Sequence, residues 1–149
     1  MMRTRFQLVS NGLVDQLTKA TVDEMRLVCV AVCKSALDRT GLDDPVLQDA
    51  VARLKEGKFG DQTVIVRLEK LVEELDEQSF AEQHRFEWGE GDENTYRAVF
   101  SKARAANAVL LSFGDDPFEA AAETMYEAGA AVDLDEVRSI FRRIVAEKR

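Results

Sequence analysis

Glu73-Glu74-Leu75-Asp76-Glu77 is the segment of this chain whose residue types and spacing best suit metal chemistry. On a helix Glu73 and Glu77 stand one turn apart on one face, with Asp76 beside them. Mg²⁺ is a hard cation that takes oxygen ligands and keeps several waters, so carboxylates at this spacing can hold it. Other chemistries have thinner material. Ser-His-Asp or Cys-His catalysis would have to run through the single histidine, His84,. It sits in Gln83-His84-Arg85-Phe86-Glu87-Trp88 at an expected helix-to-loop junction, where a solvated or capping role suffices. A di-iron site built on paired Glu-x-x-His is excluded, because it needs two histidines. Cys29 and Cys33 lie one turn apart, too few for zinc and poorly aimed for a disulfide. They read as small buried hydrophobes in a reducing compartment. Gly89-Glu90-Gly91 is the nearest approach to a glycine-rich loop, and its acidic neighbours would repel phosphate,.

The acidic quintet resembles the Glu-Glu-x-x-Glu helix motif of the all-helical nucleoside-triphosphate pyrophosphohydrolases, the MazG-like and dimeric dUTPase-like family. The resemblance implies Mg²⁺ ligation by Glu73, Glu74 and Glu77 and hydrolysis of a nucleotide. It covers five residues of 149. In that family a Glu-x-x-Asp on the following helix completes the motif. Here no Glu-x-x-Asp follows Glu77, and Glu90-Gly91-Asp92-Glu93 falls in a glycine-rich stretch.

A second constellation is one of charge. Residues 69–93 hold ten acids and two bases, a sum of −8 that equals the net charge of the whole chain. Phe80, Phe86 and the only tryptophan, Trp88, share the segment. Aromatics supply contact area and the carboxylates steer a basic partner toward them. The expected partner-binding residues are Phe86, Glu87, Trp88, Glu90, Asp92 and Glu93. The competing explanation is a solvated helix face and a loop whose aromatics fold back onto the core. The function expected is a non-catalytic, acidic binding protein: an inhibitor or immunity-type protein, a regulatory subunit or a scaffold. The Mg²⁺-dependent pyrophosphohydrolase is the alternative. At the other end Arg138, Arg142, Arg143, Lys148 and Arg149 give the last helix a basic face. Complementing the helix dipole accounts for it. The same face can also pair with the acidic segment of a second copy, giving a homodimer.

These groups need a scaffold, and the chain is long enough to build one. At 149 residues it makes a single domain that buries about two-thirds of its unfolded surface without metal or disulfide,. A net charge of −8 argues against nucleic acid as partner,. The apolar runs fall short of a membrane span, and the start of the chain lacks the apolar stretch of a signal peptide, so a cytoplasmic protein is expected. Two prolines and eight glycines leave little punctuation for strands.

Caps set the elements. Thr21-Val22-Asp23-Glu24 is a capping box opening a helix over about 22–40, stopped by Gly41. Its middle, Leu27 to Cys33, is apolar on every side and predicts a buried central helix. Asp44-Pro45 opens a helix with Val46, Leu47, Ala50, Val51 and Leu54 as its stripe, ended by Gly57. Asp61 starts one carrying Val64, Ile65, Leu68, Leu71, Val72 and Leu75 and reaching Phe80. Residues 84–94 are expected to be the longest loop. Asn94 or Thr95 then caps a helix that Gly114 stops. Asp116-Pro117 opens an alanine-rich helix, and Asp133 caps the last. Asn11-Gly12 is a hairpin signal in isolation. In a chain without other strands, a short helix burying Leu13, Val14 and Leu17 fits better. The expected fold is all-α, six or seven helices around the helix at 22–40. Asp43-Asp44-Pro45 and Asp115-Asp116-Pro117, 72 residues apart, hint at a duplicated three-helix unit,.

Overall fold

The computed structural model describes residues 11–145, and all their regular structure is helical. Seven helices follow in order: α1 (Asn11–Thr18), α2 (Val22–Thr40), α3 (Pro45–Lys55), α4 (Gln62–Glu87), α5 (Glu93–Leu111), α6 (Pro117–Ala131) and α7 (Leu134–Val145). None is long and apolar enough to cross a membrane. The all-α bundle expected from the caps is the fold observed. The first ten residues lie outside the described range. From residue 11 the chain is helix rather than hairpin, and Leu13, Val14 and Leu17 are buried.

Five of the seven starts have a side-chain cap. The Thr21 hydroxyl accepts from the Glu24 N–H at 3.1 Å, and Glu24 accepts from the Thr21 N–H at 2.8 Å, a cap worth about 1 kcal/mol. Asp44 accepts from the Val46 N–H at 2.8 Å, and Asp116 from the Phe118 N–H at 2.9 Å. Asp61 accepts from the Thr63 and Val64 N–H groups and is held by Arg53 at 2.8 Å. Asp133 accepts from the Glu136 N–H at 2.8 Å.

The starts also repeat. α6 begins 72 residues after α3, α7 begins 72 after α4, and α5 begins 71 after α2. Thr40 donates its hydroxyl to the Ala36 carbonyl, and 72 residues on Ser112 donates to that of Ala108. α2 packs on α3, α5, α6 and α7; α5 packs on α6, α2, α3 and α4. Exchanging α2 with α5, α3 with α6 and α4 with α7 turns one set of neighbours into the other. The order of starts and neighbours is that of two successive three-helix units, but the packing is unequal: α2 lies on α6 far more extensively than α5 lies on α3.

Two expectations about packing need correction. α2 touches four helices, but it is not apolar-sheathed all round: Met25, Val28, Cys29, Val32 and Cys33 are buried, whereas Val22 and Leu27 are exposed. α6 is enclosed to the same degree, packing on α1, α2, α5 and α7. Buried Ala120, Ala121, Ala122, Ala128 and Ala131 let those neighbours approach closely,. The second correction concerns α4. It does not fray near Phe80 but continues to Glu87, so the expected loop over 84–94 shrinks to the turn Trp88–Asp92.

Candidate functional site

At 26 residues α4 is about 39 Å long, and its last two turns, from Phe80 on, leave the globule,. Ser79 is its last buried residue. From Phe80 to Lys102 no side chain is buried, and burial resumes at Ala103 on α5. The ends of α4 and α5 therefore form a projecting helical hairpin.

The turn between them is built, not slack. Gly89 has φ +73°, the left-handed conformation that ends a helix,. Its N–H donates to the Phe86 carbonyl at 3.0 Å, and the Glu90 N–H donates to that of Arg85 at 2.8 Å. Gly91 lies so close to the helix that a Cβ there would sit 3.1 Å from Arg85 Cβ and from the Phe86 backbone nitrogen. Asp92 is the N-cap of α5, two or three residues earlier than the Asn94 or Thr95 cap expected, and its side chain makes no capping hydrogen bond.

Inside the hairpin runs an aromatic ladder. Phe86 stacks on Tyr96 at 6.1 Å, Tyr96 meets Phe100 at 6.3 Å, and the Arg104 guanidinium lies 5.7 Å from the Phe100 ring. Tyr96, Phe100 and Arg104 are four residues apart, one face of α5. At the root of the ladder Arg104 donates to Asp76 of α4 at 2.8 Å and to both carboxylate oxygens of Glu127 of α6, at 3.1 and 3.3 Å. Glu127 is fully buried. Three helices thus meet on one guanidinium, an arrangement the sequence reading did not find. α6 carries three glutamates at spacings of four, Glu119, Glu123 and Glu127, so the sequence does not mark Glu127 as the buried one.

The predicted interface residues fall into two groups. Phe86 is on α4 rather than in a loop, 39% exposed and engaged with Tyr96, so part of it serves the hairpin itself. Glu87 closes α4 and accepts from Gln83 at 3.1 Å. Glu93 pairs with Arg97 at 2.6 Å, an exposed ion pair of small worth. Asp92 accepts from the Thr95 hydroxyl at 3.4 Å. Glu90 is exposed at the turn. Trp88, at the tip, is 71% exposed with its ring 5.7 Å from that of His84. Phe80, one helix face away from the core, is 67% exposed. His84 lies on α4, not at a junction with a loop.

Glu73, Glu74 and Glu77 are exposed on α4 while Asp76 turns inward to Arg104. Among the described residues no three His, Cys, Asp or Glu side chains come together as a cation ligand set. Glu73→Gln with Glu77→Gln should therefore leave the melting temperature unchanged or slightly raised, since two like charges a turn apart repel by a few tenths of a kcal/mol. A Mg²⁺-dependent rise in wild-type melting temperature that this double variant abolishes would put the metal back on this face.

The thiols are buried in a polar pocket of the core. Cys33 Sγ lies 3.1 Å from the Ser112 hydroxyl, which meets the Thr124 hydroxyl at 3.0 Å. Burial pushes the Cys29 thiol up to about 11, against smaller opposing pulls from Thr124 and Ser112, and it pushes Cys33 higher still. At pH 8 the reactive thiolate of Cys29 is then on the order of one molecule in a thousand. Both cysteines should resist a thiol reagent in the native protein and label at once in denaturant. Rapid native labelling would contradict the buried placement.

Two surface grooves lie away from the hairpin. One is lined by Arg26, Leu27, Leu54 and Phe59, the other by Lys34, Asp38, Arg39 and Arg143 between α2 and α7. The second also holds Ser35, whose hydroxyl donates to the Glu136 carboxylate at 3.3 Å, while the single histidine, His84, lies on the hairpin. On α7 Arg142 and Arg143 are exposed and Arg138 pairs with Asp135 at 3.0 Å. Lys148 and Arg149 lie outside the described residues.

Comparison of the chain with family models, with curated proteins and with solved structures finds no match.

Proposed function

We propose that the projecting α4–α5 hairpin is a docking arm, and that the protein is a non-catalytic binding protein for a basic partner protein. The observation that carries this is the exposure of Phe80 and Trp88 on a segment that contributes no buried side chain to the core. Aromatic residues, Phe among them, are enriched in protein interfaces, and Trp is among the types most enriched at binding hot spots. The carboxylates around them select the sign of the partner. An inhibitor or immunity-type protein, a regulatory subunit or a scaffold would each use such an arm. Its setting is a reducing compartment such as the cytoplasm, where Cys29 and Cys33 stay thiols,.

The test is photo-cross-linking from position 81, exposed beside Phe80 and not one of the anchors, in cells that make the protein. The captured protein should be basic, and capture should fall at least tenfold when Glu87, Glu90, Asp92 and Glu93 are all made amides. Undiminished capture by the neutralised arm would count against the proposal. In the isolated protein Trp88→Ala should shift the melting temperature by less than about 2 °C, as for a surface change within 0.5 kcal/mol. A large loss would mean that the indole belongs to the core.

A further inference from the structure

We propose that the outer ridge of α4 takes a basic amphipathic helix of the partner, laid along Glu73, Glu77, Phe80, His84 and Trp88. This rests on the docking-arm reading and adds which face is used and what secondary structure it receives. The five residues follow at spacings of four, three, four and four, so they share one face, and every one is exposed,. The opposite face of the same helix is already occupied: Val72, Leu75 and Ser79 are buried and Phe86 packs on Tyr96. The two anchors, Phe80 and Trp88, are eight residues apart, about 12 Å along the axis. A partner helix with apolar residues seven or eight apart spans about 10–12 Å and meets both.

The form of the partner follows from what the arm lacks. Among the described residues there is no strand, hence no sheet edge to which an extended peptide could add,. Ridges at spacings of three and four are instead what another helix packs against. Its charge follows from the rim. Glu73, Glu77 and Glu87 flank the anchors, so Arg or Lys beside the apolar positions would find carboxylates and lie over aromatic faces,. A second copy of this ridge is the wrong occupant, because residues 69–93 would bring −8 against −8,.

The chain carries its own probe, since Trp88 is the only tryptophan. The full-length protein is titrated with two synthetic peptides of identical Leu, Lys and Arg composition, one ordered as an amphipathic helix and one scrambled to destroy the apolar stripe. Indole fluorescence and anisotropy report binding. The amphipathic peptide should bind at least tenfold more tightly and shift the indole emission to the blue. Phe80→Ala should remove most of that advantage while leaving the weak binding of the scrambled peptide unchanged; a thermal melt confirms that the variant is folded. Equal affinity for both peptides would overturn the helix inference and leave an arm that binds by charge alone. Binding of neither peptide at low salt would overturn the inference together with the docking-arm reading. Sedimentation showing that the protein alone dimerises, and that Phe80→Ala dissociates the dimer, would overturn it by making a second copy the occupant.

Discussion

Arg104→Ala should destabilise the fold by about 3 kcal/mol or more, one of the two largest effects expected of any single change in this protein. Removing one partner of a buried ion pair typically costs 3–5 kcal/mol, because the remaining charge is left buried without compensation. Here the buried partner is Glu127, whose side chain is 1% exposed and which would lose both of its hydrogen bonds from the guanidinium. Asp76 is a third exposed and loses less, since water screens what the guanidinium no longer neutralises. At this chain length the loss corresponds to a drop of roughly 6–12 °C in melting temperature. The change also uncouples α4, α5 and α6 at the root of the arm. Combining Arg104→Met with Glu127→Leu should restore most of the loss, because well-packed apolar residues often replace a buried pair without penalty. Chemical denaturation of the single and double variants checks both halves. A neutral Arg104→Ala would show that Glu127 draws its compensation from elsewhere.

Phe141→Ala and Phe80→Ala should differ by at least about 3 kcal/mol, although they delete the same atoms. Phe141 is 1% exposed and, with Val137 and Ile140, forms the buried face that holds α7 against α2 and α6. Emptying such a site removes the transfer energy of the ring and leaves a cavity, together about 3–5 kcal/mol. Phe80 stands in water on the arm, so its loss should change stability by no more than about 0.5 kcal/mol. Equal destabilisation by the two changes would mean that Phe80 is covered in solution, and the arm would lose one of its two anchors.

What could be read from the sequence was whatever chemistry is local. The capping box at Thr21 and Glu24, the Asp-Pro starts at 44–45 and 116–117, and the caps at Asp61 and Asp133 each lie within a few residues of the groups they satisfy. Those caps place five of the seven helices. The run through Glu87 was missed for a physical reason. Residues 81–87 bury nothing in the core, so they show no apolar period, although Ala81, Glu82, Gln83 and Arg85 are good helix formers,. Gly89 and Gly91 then drew the loop boundary too far back toward His84. Leu27 lies in an apolar run yet is exposed, because such a run does not reveal which of its faces finds a neighbour,. The Arg104 cluster joins residues 23 and 28 positions apart, beyond the reach of any spacing rule. The acidic and aromatic content of 69–93 was legible as composition; its placement on a projecting helical hairpin was not.

The docking arm is tested most directly by how the captured basic protein associates with it. Stopped-flow association should be measured from 0.05 to 0.5 M salt for wild type, for the variant with Glu87, Glu90, Asp92 and Glu93 made amides, and for Trp88→Ala. Charge steering fades as the Debye length falls from above 10 Å toward a few ångströms, so the wild-type association rate should drop at least tenfold across the range. The amide variant should start slow and stay nearly flat. Trp88→Ala should keep the wild-type association rate and dissociate tenfold or more faster, as removal of an interfacial hot spot does. An association rate indifferent to salt and to the four amides, with dissociation untouched by Trp88→Ala, would contradict the account.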